Sequence, residues 1–233
     1  MEKIQTGDLM LFSRKSVPGL FVQTFMNSPW NHVGIALRMK DSQLSLHDGD
    51  LYVLDVRAVK RYDEWTKTVK SGAGCSPIAF SLRNSSRIAW RQMSADYQDH
   101  NFLDRLKEFI NRTIDTKNGT TSQMLSIWSG IRLYQGDENR CSCSEYVARY
   151  LSSVVTPDRT DLGKKYPAAD WLVSPGSFSA QTSGQSKIFA DEVYVYSHAR
   201  QTVTYWIVAI TLFILIIAVL WLMMKLKNKL TNI

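Results

Sequence analysis

The chain has 233 residues, of which 45% are hydrophobic and 21% charged, an ordinary balance for one globular domain with a full core. Its three cysteines are too few for a disulfide framework, so nothing requires an oxidising compartment. The net charge is +7, but lysines near the C-terminus supply part of it and the rest is dispersed, which argues against nucleic acid as a partner. The cysteine spacing matches no zinc site, and we expect neither a metal nor a cofactor.

The first predicted elements are a strand and a short helix. The N-terminal residues are polar and the apolar run behind them is short, so we expect no signal peptide. Gly7-Asp8 opens a strand over residues 9–12. A short helix follows Pro18-Gly19 and ends at residues 27–30, where a proline disfavours helix at the residue before it.

The next two predicted strands form a hairpin. The first covers residues 31–37, with His32 and two small residues on one face and aliphatic residues on the other. Asp48-Gly49 is a turn signal, and the returning strand covers residues 51–56. Asp55 lies on that returning strand, so we expect it to face His32 across the hairpin.

The middle of the chain alternates loops, strands and helices. Residues 61–74 are predicted to be a loop because they are mostly polar and rich in glycine at the end. Residues 77–82 and 88–93 are strand-like, with a turn at residues 84–86 between them. Between residues 99 and 114 the apolar spacing predicts an amphipathic helix, and a shorter one follows near residues 124–128.

Cys143 lies where a helix begins. Polar residues precede it, and the apolar residues after it recur at helical spacing up to Leu151. In a first turn, free backbone N–H groups and the helix dipole favour negative charge, and a thiolate is such a charge. A cysteine in that place can become a nucleophile. The alternative interpretation is a buried, inert cysteine.

A cysteine nucleophile needs a base and an orienting group, and the sequence offers one set. Of the four histidines, only His32 lies at the edge of a convincing buried strand. We therefore expect Cys143 as nucleophile, His32 as base and Asp55 as the orienting acid. Two alternatives remain for these roles. They are Asp50 for the acid and Cys141, just before the expected helix start, for the nucleophile. Glu145 is expected to cap the helix rather than to take part in chemistry.

The C-terminal part of the chain predicts a membrane anchor. Residues 205–224 carry no charge, span about 30 Å as a helix, and have aromatic residues near both ends. A buried core helix is the alternative. The predicted organisation is a catalytic domain at residues 1–199, a linker at 200–204, the transmembrane helix at 205–224 and a short basic tail at 225–233. Between these elements, residues 157–190 are irregular, and a last strand is predicted at residues 192–196.

Two kinds of signal bear on the side of the membrane on which the domain lies. The lysines after the span favour a cytoplasmic tail, whereas the expected lack of a signal peptide and the free cysteines favour a domain that faces the cytosol. Three glycosylation sequons occur by sequence, at Asn84, Asn111 and Asn118. We expect a single-pass protein with its domain in the cytosol.

Three motifs in order resemble a known superfamily. They are residues 7–12 (Gly-Asp-Leu-Met-Leu-Phe), residues 31–35 (Asn-His-Val-Gly-Ile) and residues 143–147 (Cys-Ser-Glu-Tyr-Val). Together they resemble the circularly permuted papain-like cysteine hydrolases of the NlpC superfamily, in particular the YaeF/YiiX-like branch with its poxviral members. The resemblance covers roughly residues 5 to 180. It implies an α+β fold, with a central antiparallel sheet packed against helices, to which the transmembrane helix is added.

The resemblance also implies roles for the site residues. In that family the order along the chain is His, acid, Cys, which places the base at His32 and the nucleophile at Cys143. The acid falls on Asp55, where the family commonly has Glu, a departure that shortens the side chain by one methylene. Pro175-Gly176 resembles a proline-containing segment that closes the family's core.

The leading functional hypothesis is a membrane-anchored thiol hydrolase, an amidase or peptidase that works through an acyl-enzyme. The partners implied are the bilayer and a peptide, amide or lipid substrate. One alternative is an acyltransferase or phospholipase of the lecithin:retinol acyltransferase-like type, whose usual Asn-Cys-Glu-His pattern is replaced here by residues 143–146, Cys-Ser-Glu-Tyr. Another is a catalytically inactive, membrane-tethered structural module.

Overall fold

Six antiparallel strands make one sheet in the computed structural model, which describes residues 1–16, 19, 23, 28–38, 50–119, 139–155, 175–178 and 188–197. The strands of this sheet are β1 (Leu9–Arg14), β2 (His32–Arg38), β3 (Leu51–Asp63), β4 (Thr68–Pro77), β5 (Ser85–Arg91) and β8 (Val193–Ser197). Their order across the sheet is β4, β3, β2, β1, β5, β8. Two short strands, β6 (Lys117–Asn118) and β7 (Arg140–Cys141), pair in parallel beside it.

Three α-helices pack on this sheet within the described part of the chain. They are α1 (Ile78–Asn84), α2 (Phe102–Thr113) and α3 (Cys143–Tyr150), and α3 continues as a π-helical turn, Leu151–Val155. Short 3₁₀ turns occur at Ala95–Tyr97 and Pro175–Phe178. Helices and an antiparallel sheet in one unit confirm the predicted α+β class.

Alternation along the central strands separates two cores. Leu9 and Leu11 of β1 and Val33 of β2 face one side of the sheet, where the apolar residues of α2 and α3 cover them. Met10 and Phe12 point to the other side, where α1 contributes to a smaller cluster. The side chains predicted to share a face of β2 therefore do share it.

The predicted hairpin of β2 and β3 is confirmed. The two strands are antiparallel neighbours, and Ile35 lies opposite Leu54 in their register. The turn predicted at residues 48–49 lies outside the described residues. The strand after it is longer than predicted, because β3 runs to Asp63.

Three predictions for the middle of the chain are wrong. Residues 61–74 were expected as a loop but form the end of β3 and most of β4, a ribbon whose exposed polar side chains hide the strand pattern. Residues 77–82 were expected as a strand, yet α1 begins at Ile78. There Ile78 and Ser81 are buried at i, i+3 spacing, which is a helical face. The residues expected as the next turn, Ser85 and Ser86, open the buried strand β5.

Other expected elements are found or lie outside the described residues. The amphipathic helix predicted between residues 99 and 114 is α2, and the last predicted strand is β8. The predicted helices near residues 20–25 and 124–128 and the predicted span at residues 205–224 fall largely or wholly outside the described ranges. Among the residues that are described, no helix is long and apolar enough to cross a bilayer. All of them belong to one compact unit, Met1–Ser197.

Candidate active site

The start of β2 is tied to the end of β1 by a side-chain amide. The Asn31 Oδ1 accepts a hydrogen bond of 2.7 Å from the Arg14 backbone N–H, and the Asn31 Nδ2 donates one of 3.0 Å to the Arg14 carbonyl. Because His32 follows Asn31 directly, this pair of bonds holds Arg14 and His32 at neighbouring places on the sheet. The asparagine of the Asn-His motif therefore has a clear structural task.

His32 and Asp55 meet across β2 and β3, as predicted. The His32 Nε2 lies 2.8 Å from the Asp55 Oδ2, and both side chains are buried. Gly34 makes room for this contact, because a Cβ at that position would lie 2.7 Å from the Val53 Cγ1 and 3.1 Å from the Asp55 Cβ. A neutral imidazole that donates from Nε2 keeps Nδ1 as the nitrogen that can accept a proton.

Asp55 is also held by three arginines. The Arg57 Nε lies 2.8 and 2.7 Å from the two carboxylate oxygens, the Arg61 Nη2 lies 2.8 Å from Oδ1, and the Arg14 Nη2 lies 3.0 Å from Oδ2. Burial alone would raise the pKa of Asp55. Arg57 and Arg61, together with the hydrogen bond from His32, hold that pKa well below its usual range. The carboxylate is therefore ionised at neutral pH.

Cys143 begins α3, as predicted. The Ser142 hydroxyl caps the helix by accepting from the Glu145 backbone N–H at 3.1 Å. The partly exposed Cys143 sulfur accepts hydrogen bonds from the backbone N–H groups of Val33 and Ser144. The paired stretch of β2 and β3 starts only at Ile35, so the Val33 N–H is available to the thiol.

Opposing effects set the charges of this thiol and imidazole. Packing around the Cys143 thiol raises its pKa by desolvation, while the Val33 hydrogen bond and the Arg14 charge lower it. Burial and the nearby Arg14 charge lower the pKa of His32 to about 3, although Asp55 acts in the opposite direction. The resting pair is therefore a neutral thiol beside a neutral imidazole.

Of the three predicted site residues, the structure brings two, His32 and Asp55, into direct contact. His32 bonds directly to Asp55, and Cys143 lies against Val33, the residue that follows His32. Within the part of the chain that the structure describes, no hydrogen bond joins the Cys143 sulfur to the His32 ring. Hydrogen bonds between catalytic groups are often long in ligand-free enzymes and tighten when substrate binds.

The alternatives weighed for these roles lie elsewhere. Cys141 is fully buried in β7, and burial raises its pKa, so its thiol is inert. Asp50 is exposed, and its carboxylate contacts the Tyr52 hydroxyl at 3.5 Å. Glu145 pairs with Arg149 at 2.8 Å within α3, besides offering its backbone N–H to the helix cap.

Sequence reasoning missed the three arginines. The signal was present, because Arg57 follows Asp55 at the next position on the same face of β3, and Arg14 follows Phe12 likewise on β1. A register shift between Arg57 and Arg61 in the pairing with β4 lets Arg61 turn towards the same carboxylate. That shift is a property of the paired strands, and the local sequence does not reveal it.

Comparison with known proteins gives a structural likeness. No family model matches the chain, and no curated protein matches it. Among solved structures, the chain resembles the crystal structure described as metalloprotein YiiX from Escherichia coli O157:H7, at 16% sequence identity and a TM-score of 0.48. The match covers 84% of this chain and 98% of that one.

The described residues contain no group of three or more His, Cys, Asp and Glu side chains placed to hold a metal ion. Around Asp55 the neighbouring charges are cationic, and three arginines already occupy the carboxylate oxygens. A metal ion at that carboxylate would compete with three fixed positive charges. Among the described residues, the groups of the candidate site are a thiol, an imidazole and a buried carboxylate.

Proposed function

We propose that the protein is a thiol hydrolase of amide bonds with a circularly permuted papain-like fold, held at a membrane by residues 205–224. Cys143 is the nucleophile, His32 the base and Asp55 the group that orients the imidazole. The observation that carries this proposal is the buried 2.8 Å contact between His32 and Asp55 beside a cysteine at a helix start. The same arrangement, with the motif order His, acid, Cys, supports a place in the NlpC superfamily.

The reaction is an acyl transfer in two halves. The Cys143 sulfur attacks the carbonyl carbon and its proton passes to the His32 Nδ1. That proton then goes to the amide nitrogen as the C–N bond breaks and the amine leaves. In the second half, His32 takes a proton from water as the water oxygen attacks the thioester. The acid departs, and the proton returns to the sulfur.

The helix start stabilises the charge that develops during this reaction. The backbone N–H of Cys143 is among the donors of the first turn of α3, and the dipole of the helix is positive at that end. A tetrahedral oxyanion next to Cys143 would accept from these groups. Asp55 keeps the imidazole in the tautomer with the proton on Nε2, so that Nδ1 remains the acceptor.

The test is selective labelling of Cys143 in the full-length protein. A neutral thiol electrophile should modify Cys143 and leave the buried Cys75 and Cys141 intact, as peptide mass spectrometry would show. The rate should fall about 10-fold or more in His32→Ala, because the base is lost. Equal rates in the two proteins would favour the inactive structural module instead.

A second arm separates hydrolysis of amides from lipid chemistry. The predicted membrane segment favours a lipid substrate as the alternative, since an anchor places the site near acyl chains. Incubation with phospholipid followed by intact-mass measurement would show an acyl adduct at Cys143 if the protein is an acyltransferase or phospholipase. A peptide amide that acylates Cys143, with phospholipid inert, supports the amidase.

A further inference from the structure

Among the residues that the structure describes, the buried charges around Asp55 do not balance. Three guanidinium groups, those of Arg14, Arg57 and Arg61, lie within hydrogen-bond distance of one carboxylate. Asp63 offsets part of the Arg61 charge and is itself shared with a lysine at 3.5 Å. Because the neighbouring histidine is neutral, the region carries a net positive charge in a place with little water. Fixed positive charge of this kind favours binding of an anion.

The same arginines have hydrogen-bond donors to spare. Among the described residues, no partner exists for the Nε of Arg14, the Nη1 of Arg57, or the Nε and Nη1 of Arg61, and all four atoms are buried. Unpaired buried donors cost free energy, and the cost is larger on a charged group. An incoming carboxylate or phosphate would bring oxygen atoms that can accept hydrogen bonds from these unpaired nitrogens.

Arg14 is the arginine that a substrate can reach. Its side chain is 16% exposed, against 1% for Arg57 and 3% for Arg61. The Arg14 charge also acts on the Cys143 thiol, and the Asn31 amide fixes the Arg14 backbone. The reachable cation therefore acts electrostatically on the Cys143 thiol and has a fixed backbone.

We propose that this site takes acyl substrates that carry a carboxylate or phosphate next to the reacting carbonyl, and that Arg14 binds this anionic group. The inference rests on the proposed role of Cys143 as nucleophile. Arg57 and Arg61 hold Asp55 and supply a positive background, while Arg14 makes the contact. Neutral substrates of the same shape are disfavoured because they leave the excess charge uncompensated.

Two alkylating reagents of similar size test the inference without knowledge of the substrate. Iodoacetate is anionic and iodoacetamide is neutral. With either reagent the Cys143 thiol gives its proton to His32, the sulfur bonds to the methylene carbon and iodide leaves. In the full-length protein, Cys143 should react faster with iodoacetate, by roughly tenfold, the effect of one charge-assisted hydrogen bond. A thiolate in the urea-unfolded protein repels the anion and should prefer iodoacetamide.

Variants assign the preference to Arg14. The ratio of the two rates should fall about tenfold in Arg14→Gln and persist in Arg14→Lys, because lysine keeps the charge. Arg112→Gln removes an exposed arginine of α2 and should leave the ratio unchanged. Because unfolded chains prefer iodoacetamide, the folded fraction of each preparation is measured by circular dichroism and the rates are compared at equal folded fraction.

The outcomes separate this inference from the proposed function. If Cys143 reacts in a His32-dependent manner but prefers the neutral reagent, the anion inference is overturned and the nucleophile stands. If Cys143 reacts with neither reagent, both fall. Acetate and inorganic phosphate are then added as competitors at equal ionic strength. The anion that slows alkylation by iodoacetate more is the type that the site prefers. Competition by neither would overturn the inference.

Discussion

Asp55 connects every charged group of the candidate site. It accepts from His32 and from three arginines, and none of its surface is exposed. Removing a carboxylate of this kind leaves several buried cations without their counter-ion. The free-energy cost of those unpaired charges exceeds the net stabilisation that the ion pairs gave. The residue is therefore a requirement of the fold, and in the proposed mechanism it also orients the imidazole.

Replacing Asp55 by asparagine tests how much the fold depends on the negative charge of this residue. The amide keeps the shape and one acceptor oxygen, but it loses the charge that balances the arginines. We expect a loss of about 3–5 kcal/mol in the free energy of unfolding. Chemical denaturation checks this value. Asp50→Asn, at an exposed carboxylate, is the matched control and should be neutral within about 0.5 kcal/mol.

The low pKa of His32 has a signature in stability. That pKa is about 3 in the folded protein and about 6.5 in an unfolded chain. Between these values only the unfolded chain binds the extra proton, so stability rises with pH there and is lost as the pH falls. Compared with His32→Gln, the wild-type protein should lose up to about 1.4 kcal/mol per pH unit from about pH 6 to about pH 4.

A second buried group makes that comparison between variants necessary. Burial raises the pKa of Asp8 to about 6, although hydrogen bonds from the Gln5 and Met93 backbones lower it. The folded state then binds more protons than the unfolded chain in the same range, and stability rises as the pH falls. Asp8 is present in both proteins, so its contribution cancels in the difference. Parallel curves for wild type and His32→Gln would contradict a neutral buried imidazole.

At the scale of single elements, the site is the meeting point of a strand start and a helix start. The first turn of α3 is fixed by one cap, the hydrogen bond from the Glu145 N–H to the Ser142 hydroxyl. Ser142→Ala removes this bond and should lower the free energy of unfolding by about 1 kcal/mol. It should also slow the labelling of Cys143, because the helix start frays. Ser142→Thr keeps the hydroxyl and serves as the control, and equal effects of both variants would argue against the cap.

The packing of β2 against β3 makes a second prediction at this scale. A methyl group at Gly34 would lie 2.7 Å from the Val53 side chain, so Gly34→Ala must move β3 away from β2. We expect a cost of about 1–3 kcal/mol and a weaker contact between His32 and Asp55. Denaturation and the pH dependence of Cys143 labelling report the two effects. Ser71→Ala, at an exposed place on β4, is the control.

At the scale of the whole molecule, the open prediction is the membrane segment. Residues 205–224 are uncharged and long enough to span the hydrocarbon core of a bilayer. The full-length protein should therefore float with phospholipid vesicles and resist extraction by high salt and by carbonate. A chain cut after residue 199 should stay with the soluble fraction. Flotation of the shortened chain would place the membrane contact in the folded unit instead.

Sequence patterns predicted the central part of this fold well. The alternation in β1 and β2, the return of the chain in β3 and the helical period of α2 and α3 are local, and each reflects which side chains the core buries. For the same reason the places of His32 and Asp55 on neighbouring strands and of Cys143 at a helix start were predicted without tertiary information. An imidazole and a carboxylate lay on predicted strands, and a thiol lay at a predicted helix start.

The errors occurred where local pattern and burial disagree. The ribbon of β3 and β4 carries polar side chains at its end, so its strands are held by pairing and not by an apolar face. The segment from Ile78 is short and apolar, a case in which period alone does not separate a helix from a strand. In both cases the secondary structure is decided by contacts with segments that are distant along the chain.

The sequence by itself determined which side chains are candidates for chemistry and which elements carry them. Side-chain type and the spacing of apolar residues are both local properties of the chain. Tertiary structure decided that Arg14, Arg57 and Arg61 converge on Asp55, since their approach depends on strand register and on a shift in the pairing of β3 with β4. It also decided the charge states, because a pKa depends on burial and on neighbours that are distant along the chain.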